Sequence, residues 1–121
     1  MGGKESEETT NTVSGILPVN HRYARILFDS GATHSLVSSE FAMKLASKLD
    51  EMDIQLYVRT SLGTIYHINL IIRDYAINVE GKTLLADLVQ LEMQEWDIIL
   101  GMDWLANHKV TIVCEKNLIT F

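Results

Sequence analysis

The sequence predicts an all-β domain with one or two short helices, and three observations lead there. Apolar and β-branched residues come in runs of strand length, several alternating with polar residues, as at Ile54, Leu56 and Val58. Compact turn formers separate the runs: Asn20-His21, Glu80-Gly81 and Glu115-Lys116-Asn117. One segment, Ser39 to about Leu49, has clear amphipathic-helix spacing, with Phe41, Leu45 and Leu49 forming one apolar face. A chain of 121 residues with 47% hydrophobic content suffices for one domain with a modest core.

The elements follow in chain order. Residues 1–13 are polar and without apolar periodicity, which predicts a disordered tail ahead of a folded domain over 14–121. Ile16 to Asn20 and Arg22 to Phe28 flank the Asn20-His21 turn, and Pro18, which has no N–H to give a ladder, assigns the first run to a sheet edge. Ser38 or Ser39 can cap the helix, where Glu40 and Lys44 are spaced for an exposed ion pair. Strands are then expected from Ile54, over Ile65 to Asp74 around a hairpin tip at Thr60 to Thr64, and as two arms, Tyr75 to Val79 and Lys82 to Gln90. Ile98 to Leu100, a short helix over about Met102 to Asn107, Val110 to Val113 and Leu118 to Phe121 complete the pattern.

Charge and residue types exclude several functions. A formal charge of -6, with basic residues scattered singly, argues against a nucleic-acid or anionic-membrane surface. No apolar run approaches the roughly eighteen residues of a spanning helix, and no signal peptide is evident. The start Met1-Gly2-Gly3 fits a loose myristoylation pattern, but Glu5, Glu7 and Glu8 stand where a supporting basic cluster would be needed. The single cysteine, Cys114, lies in a strand-like run and reads as a small buried hydrophobe; no disulfide can form within the chain, which suits a reducing compartment. His21, His34, His67 and His108 are too dispersed for a metal site, and His34 reads as a structural hydrogen bonder rather than a base. No G-x-S-x-G elbow and no glycine-rich phosphate loop occurs, so neither a serine hydrolase nor a phosphate site is supported and no cofactor is expected.

What remains is a carboxylate in a tight turn. Ile26-Leu27-Phe28 drives Asp29 into Asp29-Ser30-Gly31-Ala32-Thr33, and these are also ordinary strand-ending residues. A second apolar run, Asp97-Ile98-Ile99-Leu100-Gly101-Met102-Asp103-Trp104-Leu105, likewise breaks at a glycine into a short helix. A carboxylate placed there is either a simple strand-end cap or half of a catalytic pair, and the chain offers a single such turn.

The two motifs, ILFDSGATHSLVSSEFA and DIILGMDWLANHKVTIVCEKNLITF, in this order and at this spacing resemble the aspartic proteinases of gypsy-type long-terminal-repeat retrotransposons, within the retropepsin family. The resemblance covers Ser14 to Phe121. It implies a closed β-barrel of the acid-protease half type, acting as a homodimer in which Asp29 meets its counterpart across a twofold axis. It further implies an endopeptidase acting on an extended polypeptide, a retroelement polyprotein, in the cytoplasm or a virus-like particle.

Within that resemblance, Gly31 gives its N–H to the carboxylates, Ser30 bonds across to the partner's loop, and Ala32 leaves room for the substrate backbone. Leu62, Gly63 and Thr64 correspond to the tip of a flap, and Ile99, with Trp96 beside it, to a pocket wall. Retroviral members carry an Asp and an Arg that pair with one another, where this chain has Thr33 and Met102; losing both together strands no charge. A domesticated or inactive retropepsin-like domain that dimerises or binds peptides is the alternative, and a plain β-domain with Asp29 as a turn cap is a third. The intact Asp29-Ser30-Gly31 favours the enzyme.

Overall fold

The computed structural model describes residues 12–45, 49–59, 63, 65–79, 81–113 and 118–120. Strands β1 (Thr12–Val19) and β2 (Arg22–Asp29) form a hairpin, followed by β3 (Ser35–Ser38), α1 (Ser39–Ala42), β4 (Asp50–Arg59), β5 (Ile65–Val79) and β6 (Lys82–Leu91). β7 (Ile98–Leu100), α2 (Met102–Asn107), β8 (Thr111–Val113) and β9 (Leu118–Thr120) end the order. Seven strands make one sheet, β1-β2-β7-β3-β6-β5-β4, while β8 and β9 pair in a separate antiparallel sheet.

The all-β expectation holds, but the barrel does not close: β1 and β4 stand at the two edges of an open sheet. The sheet coils far enough that a side chain, rather than a backbone ladder, spans from the first hairpin to β5. Asn20 donates through Nδ2 to Tyr75 Oη at 2.7 Å and to the Ala76 carbonyl at 2.8 Å, and its Oδ1 accepts from Asn78 N–H at 3.2 Å. Asn20 and His21 have φ of 51° and 71°, the left-handed pair that a tight two-residue hairpin turn requires. Asn20→Ala removes three partly exposed hydrogen bonds and is expected to lower stability by about 1–2 kcal/mol, read as a shift in urea midpoint at constant m-value.

Several boundaries differ from the sequence expectation for identifiable reasons. β1 begins at Thr12, four residues before Ile16, because the Thr12↔Asp29 to Val19↔Arg22 register carries it along the whole of β2. Val13, assigned by sequence to the polar lead-in, is therefore a core residue, 5% exposed. The helix expected to reach Leu49 is confined to Ser39–Ala42, with Ser38 Oγ accepting from Phe41 N–H at 2.9 Å as its cap. Asp50 already pairs with Ile71, so the chain must be extended by then, and Leu49 is exposed rather than part of a buried face. The runs Ile65 to Asp74 and Tyr75 to Val79, expected as separate strands, are one strand, β5. The break is a bulge: Ile72↔Leu88 is followed by Tyr75↔Ala86, and Asp74, at φ 50°, donates its N–H to Asp87 Oδ1 at 2.8 Å. Cys114 and the turn Glu115-Lys116-Asn117 lie outside the described residues.

Alternation along the strands gives the sheet two apolar faces. On one, Ile26, Phe28, Val37, Ile72, Ile77, Leu88, Ile98 and Leu100 pack with Phe41 of α1 and Trp104 of α2 as the main core. On the other, Leu36, Ile71, Val89 and Leu91 form a smaller cluster with Met52, Met93 and Ile99 against it. Leu27 and Asp29 alternate with the core residues Ile26 and Phe28, which sets Asp29 on the side of the smaller cluster.

Candidate active site

β2 and β3 are consecutive in sequence but not neighbours in space. β7 runs between them, parallel to β2 through Ile26↔Ile98 and Phe28↔Leu100, and antiparallel to β3 through Leu36↔Ile99. The Asp29 loop, residues 30–34, must therefore cross over the C-terminal end of β7. Asp97 sets β7 in this slot. Its N–H donates to Arg25 O at 2.8 Å and its carbonyl accepts from Ser38 N–H at 2.9 Å, joining the strands on both sides. Its Oδ2 accepts from Arg25 N–H at 2.7 Å, and the Arg25 guanidinium lies 3.3 Å from Oδ1. The ion pair itself is half exposed and contributes little; the backbone contacts fix the register.

Asp29 ends β2 half-buried. Gly31 N–H donates to its Oδ1 at 2.8 Å, and Ala32 N–H donates to its main-chain carbonyl at 3.1 Å, so the carboxylate is oriented by its own turn. A Cβ on Gly31 would lie 3.2 Å from Oδ1, close to the carboxylate it holds. Thr33 Oγ1 and His34 Nδ1 share a hydrogen bond at 2.9 Å. Ile99 is half-buried, in register with Leu27 on one side and Leu36 on the other. Gly63 is exposed at φ 89°, while Leu62 and Thr64 lie outside the described residues. Among the described residues, no group of His, Cys, Asp and Glu is placed to hold a metal ion, and no helix is long and apolar enough to cross a membrane.

Three residues to which the sequence assigned no role in the site build the floor of the loop. Gly101, at the end of β7, lies directly beneath it: a Cβ there would fall 2.6 Å from His34 O and 2.7 Å from Ala32 O. Its φ of -98° is open to any residue, so the close approach and not the dihedral angle requires glycine. Ser35, fully buried, accepts from Gly101 N–H at 3.0 Å and donates through Oγ to Asp103 Oδ1 at 2.7 Å. Asp103 Oδ2 accepts from Ser35 N–H at 3.3 Å, and its Oδ1 also accepts from Trp104 N–H at 2.7 Å. The Leu100-Gly101 break was visible in the sequence. The Ser35–Asp103 contact joins residues 68 apart, and no local pattern signals it.

The arrangement is a carboxylate on a rigid turn, beside an apolar face, on a loop seated on a backbone platform. A family model described as retroviral aspartyl protease matches residues 1–121. The crystal structure of the retroviral protease-like domain of Ddi1 from Leishmania major superposes with a TM-score of 0.65 at 21% identity, covering 91% of this chain and 83% of that one. A Legionella pneumophila protein of unknown function gives a TM-score of 0.46 at 11% identity, over 81% of this chain and 85% of that one. No curated protein matches the sequence significantly. The Leishmania superposition shows that the fold is retropepsin-like, and the strand order leaves the sheet open.

Proposed function

The chain belongs to the retroviral aspartyl protease family, and from that premise we propose that it is an aspartic endopeptidase whose active site forms between two copies, each giving one Asp29. The observation that carries this reading is the Asp29-Ser30-Gly31 turn, with Gly31 N–H on the carboxylate at 2.8 Å. One carboxylate cannot act as both base and acid on the same peptide. Two that share a proton can: the ionised one takes a proton from the attacking water, and the protonated one donates to the carbonyl oxygen as the tetrahedral intermediate forms. Ser30 would bond across to the partner's loop, and Ala32 and Thr33 would border the substrate backbone.

An extended peptide would lie along the apolar side of the sheet where Leu27, Ile99 and Leu36 are in register, under a flap around Gly63. A retroelement polyprotein, processed in the cytoplasm or a virus-like particle, is the substrate this reading favours. The second reading, a retropepsin-like domain that dimerises or binds peptides without cleaving them, draws on the Leishmania neighbour, which is described as protease-like.

The two readings separate on one assay. The purified chain is incubated with a denatured mixed-protein substrate from acidic to neutral pH, with and without a statine-type inhibitor. The enzyme reading expects inhibitor-sensitive cleavage, because a statine-type group occupies the place of the attacking water between the two carboxyls. Binding of the inhibitor without cleavage at any pH would leave the second reading.

A further inference from the structure

We propose that Asp103 is a positioning residue for the Asp29 loop, an inference that rests on the aspartic-protease reading. Three consecutive residues after β7 hold three points around the loop. Met102 N–H donates to Ala32 O at 2.8 Å. The Asp103 carboxylate takes both the hydroxyl and the N–H of Ser35, at 2.7 and 3.3 Å. The Trp104 ring packs against Phe28, the residue before Asp29, with centroids 6.1 Å apart. The loop is thus gripped before the carboxylate, in its middle and at its far end by one short segment.

Asp103 is the member of that segment whose side chain does the gripping by hydrogen bonds, and its two oxygens are used unequally. Oδ1 receives Ser35 Oγ–H and Trp104 N–H, each at 2.7 Å, whereas Oδ2 receives only the longer contact from Ser35 N–H. The Ser35 hydroxyl passes the constraint on, because the oxygen that donates to Asp103 also accepts from Gly101 N–H at 3.0 Å. Ser35 is fully buried while Asp103 is exposed, so without the carboxylate the hydroxyl loses the acceptor that ties it to α2, and a water taking that place would not be fixed to the helix. The outcome of losing the carboxylate is a rotated Ser35 and a loop free to lift from Gly101. A displacement of order 1 Å at a reacting group costs up to about a hundredfold in rate.

The unequal use of the oxygens makes a specific prediction about charge. Asp103→Asn keeps an acceptor at Oδ1 and loses only the long contact, so it should retain most activity; Asp103→Ala loses both. Ser35→Ala should resemble Asp103→Ala, and the double variant should be little worse than either alone, since both cut one chain of bonds.

The test pairs steady-state kinetics on a peptide substrate with amide hydrogen exchange on the same proteins. The expected result is a kcat reduced about 10- to 100-fold in Asp103→Ala with KM nearly unchanged, substantial recovery in Asp103→Asn, and faster exchange limited to the Asp29 loop and Gly101. Amides of Ile72 and Ile77 in β5 should keep wild-type exchange. Unchanged kcat and loop exchange in Asp103→Ala would overturn the proposal, as would faster exchange spread evenly through β5 and β6. Should the wild-type chain cleave nothing, the protease reading fails, while exchange confined to the loop still supports the Asp103 clamp and its absence overturns it.

Discussion

Asp29→Asn is expected to lower peptide cleavage by at least about a thousandfold while leaving the fold intact. The size follows from the chemistry: an amide can neither accept the proton of the attacking water nor carry the shared proton of the pair. Retention of the fold follows from the turn. The carbonyl oxygen of the substituted amide can still accept from Gly31 N–H, the 2.8 Å contact that orients Asp29, and asparagine is at home in such turns. In the proposed pair, removing the charge would also remove repulsion between the two carboxylates, so association of the variant should be equal or tighter. Cleavage rate per chain, urea midpoint and sedimentation of the pure variant check the three statements together. Undiminished cleavage would place the catalytic group elsewhere and return attention to His34 and the serines beside it.

Gly101→Ala is expected to have the largest combined effect on stability and activity. The added Cβ would meet His34 O at 2.6 Å and Ala32 O at 2.7 Å, and both are backbone atoms with no rotamer to yield. The loop must lift or β7 must sink. β7 cannot sink easily, since Ile98 and Leu100 are fully buried in the main core and Gly101 N–H is bound to Ser35. The loop therefore moves, breaking the Met102–Ala32 hydrogen bond. Overpacking of this kind costs about 1–3 kcal/mol, and the displaced carboxylate should lose about a hundredfold or more in rate. Gly15→Ala, at a position where a Cβ meets nothing within 4 Å, serves as the control and should change cleavage little.

The contrast between these glycines illustrates how much of the site is written locally. The Asp29-Ser30-Gly31 turn could be read from the sequence because each residue's role is short-range: an apolar run, a carboxylate, and a glycine two residues on whose N–H reaches back. The hairpin at Asn20-His21, the edge position of β1 and the short helix after Gly101 were legible for the same reason. The helix end at Ala42, the single long β5 and the open sheet were not, because each is decided by which strand pairs with which. Asp50 becomes β-strand through Ile71, and Asp74 becomes a bulge through Asp87. The platform beneath the loop was the least legible part. Ser35 and Asp103 are ordinary residues where they stand in the chain, and only the insertion of β7 between β2 and β3 brings them to 2.7 Å.

A site shared between two chains has a signature that no single-chain site can imitate. Wild-type protein is held at a fixed concentration near the midpoint of its self-association, with substrate in large excess, and Asp29→Asn protein is added in increasing amounts. Mixed pairs carry one carboxylate and cannot hold the shared-proton state, so the account predicts that the total cleavage rate falls steadily as wild-type chains are drawn into them. A rate that stays constant up to a large excess of the variant would mean that each chain carries a complete active site, and would contradict the account.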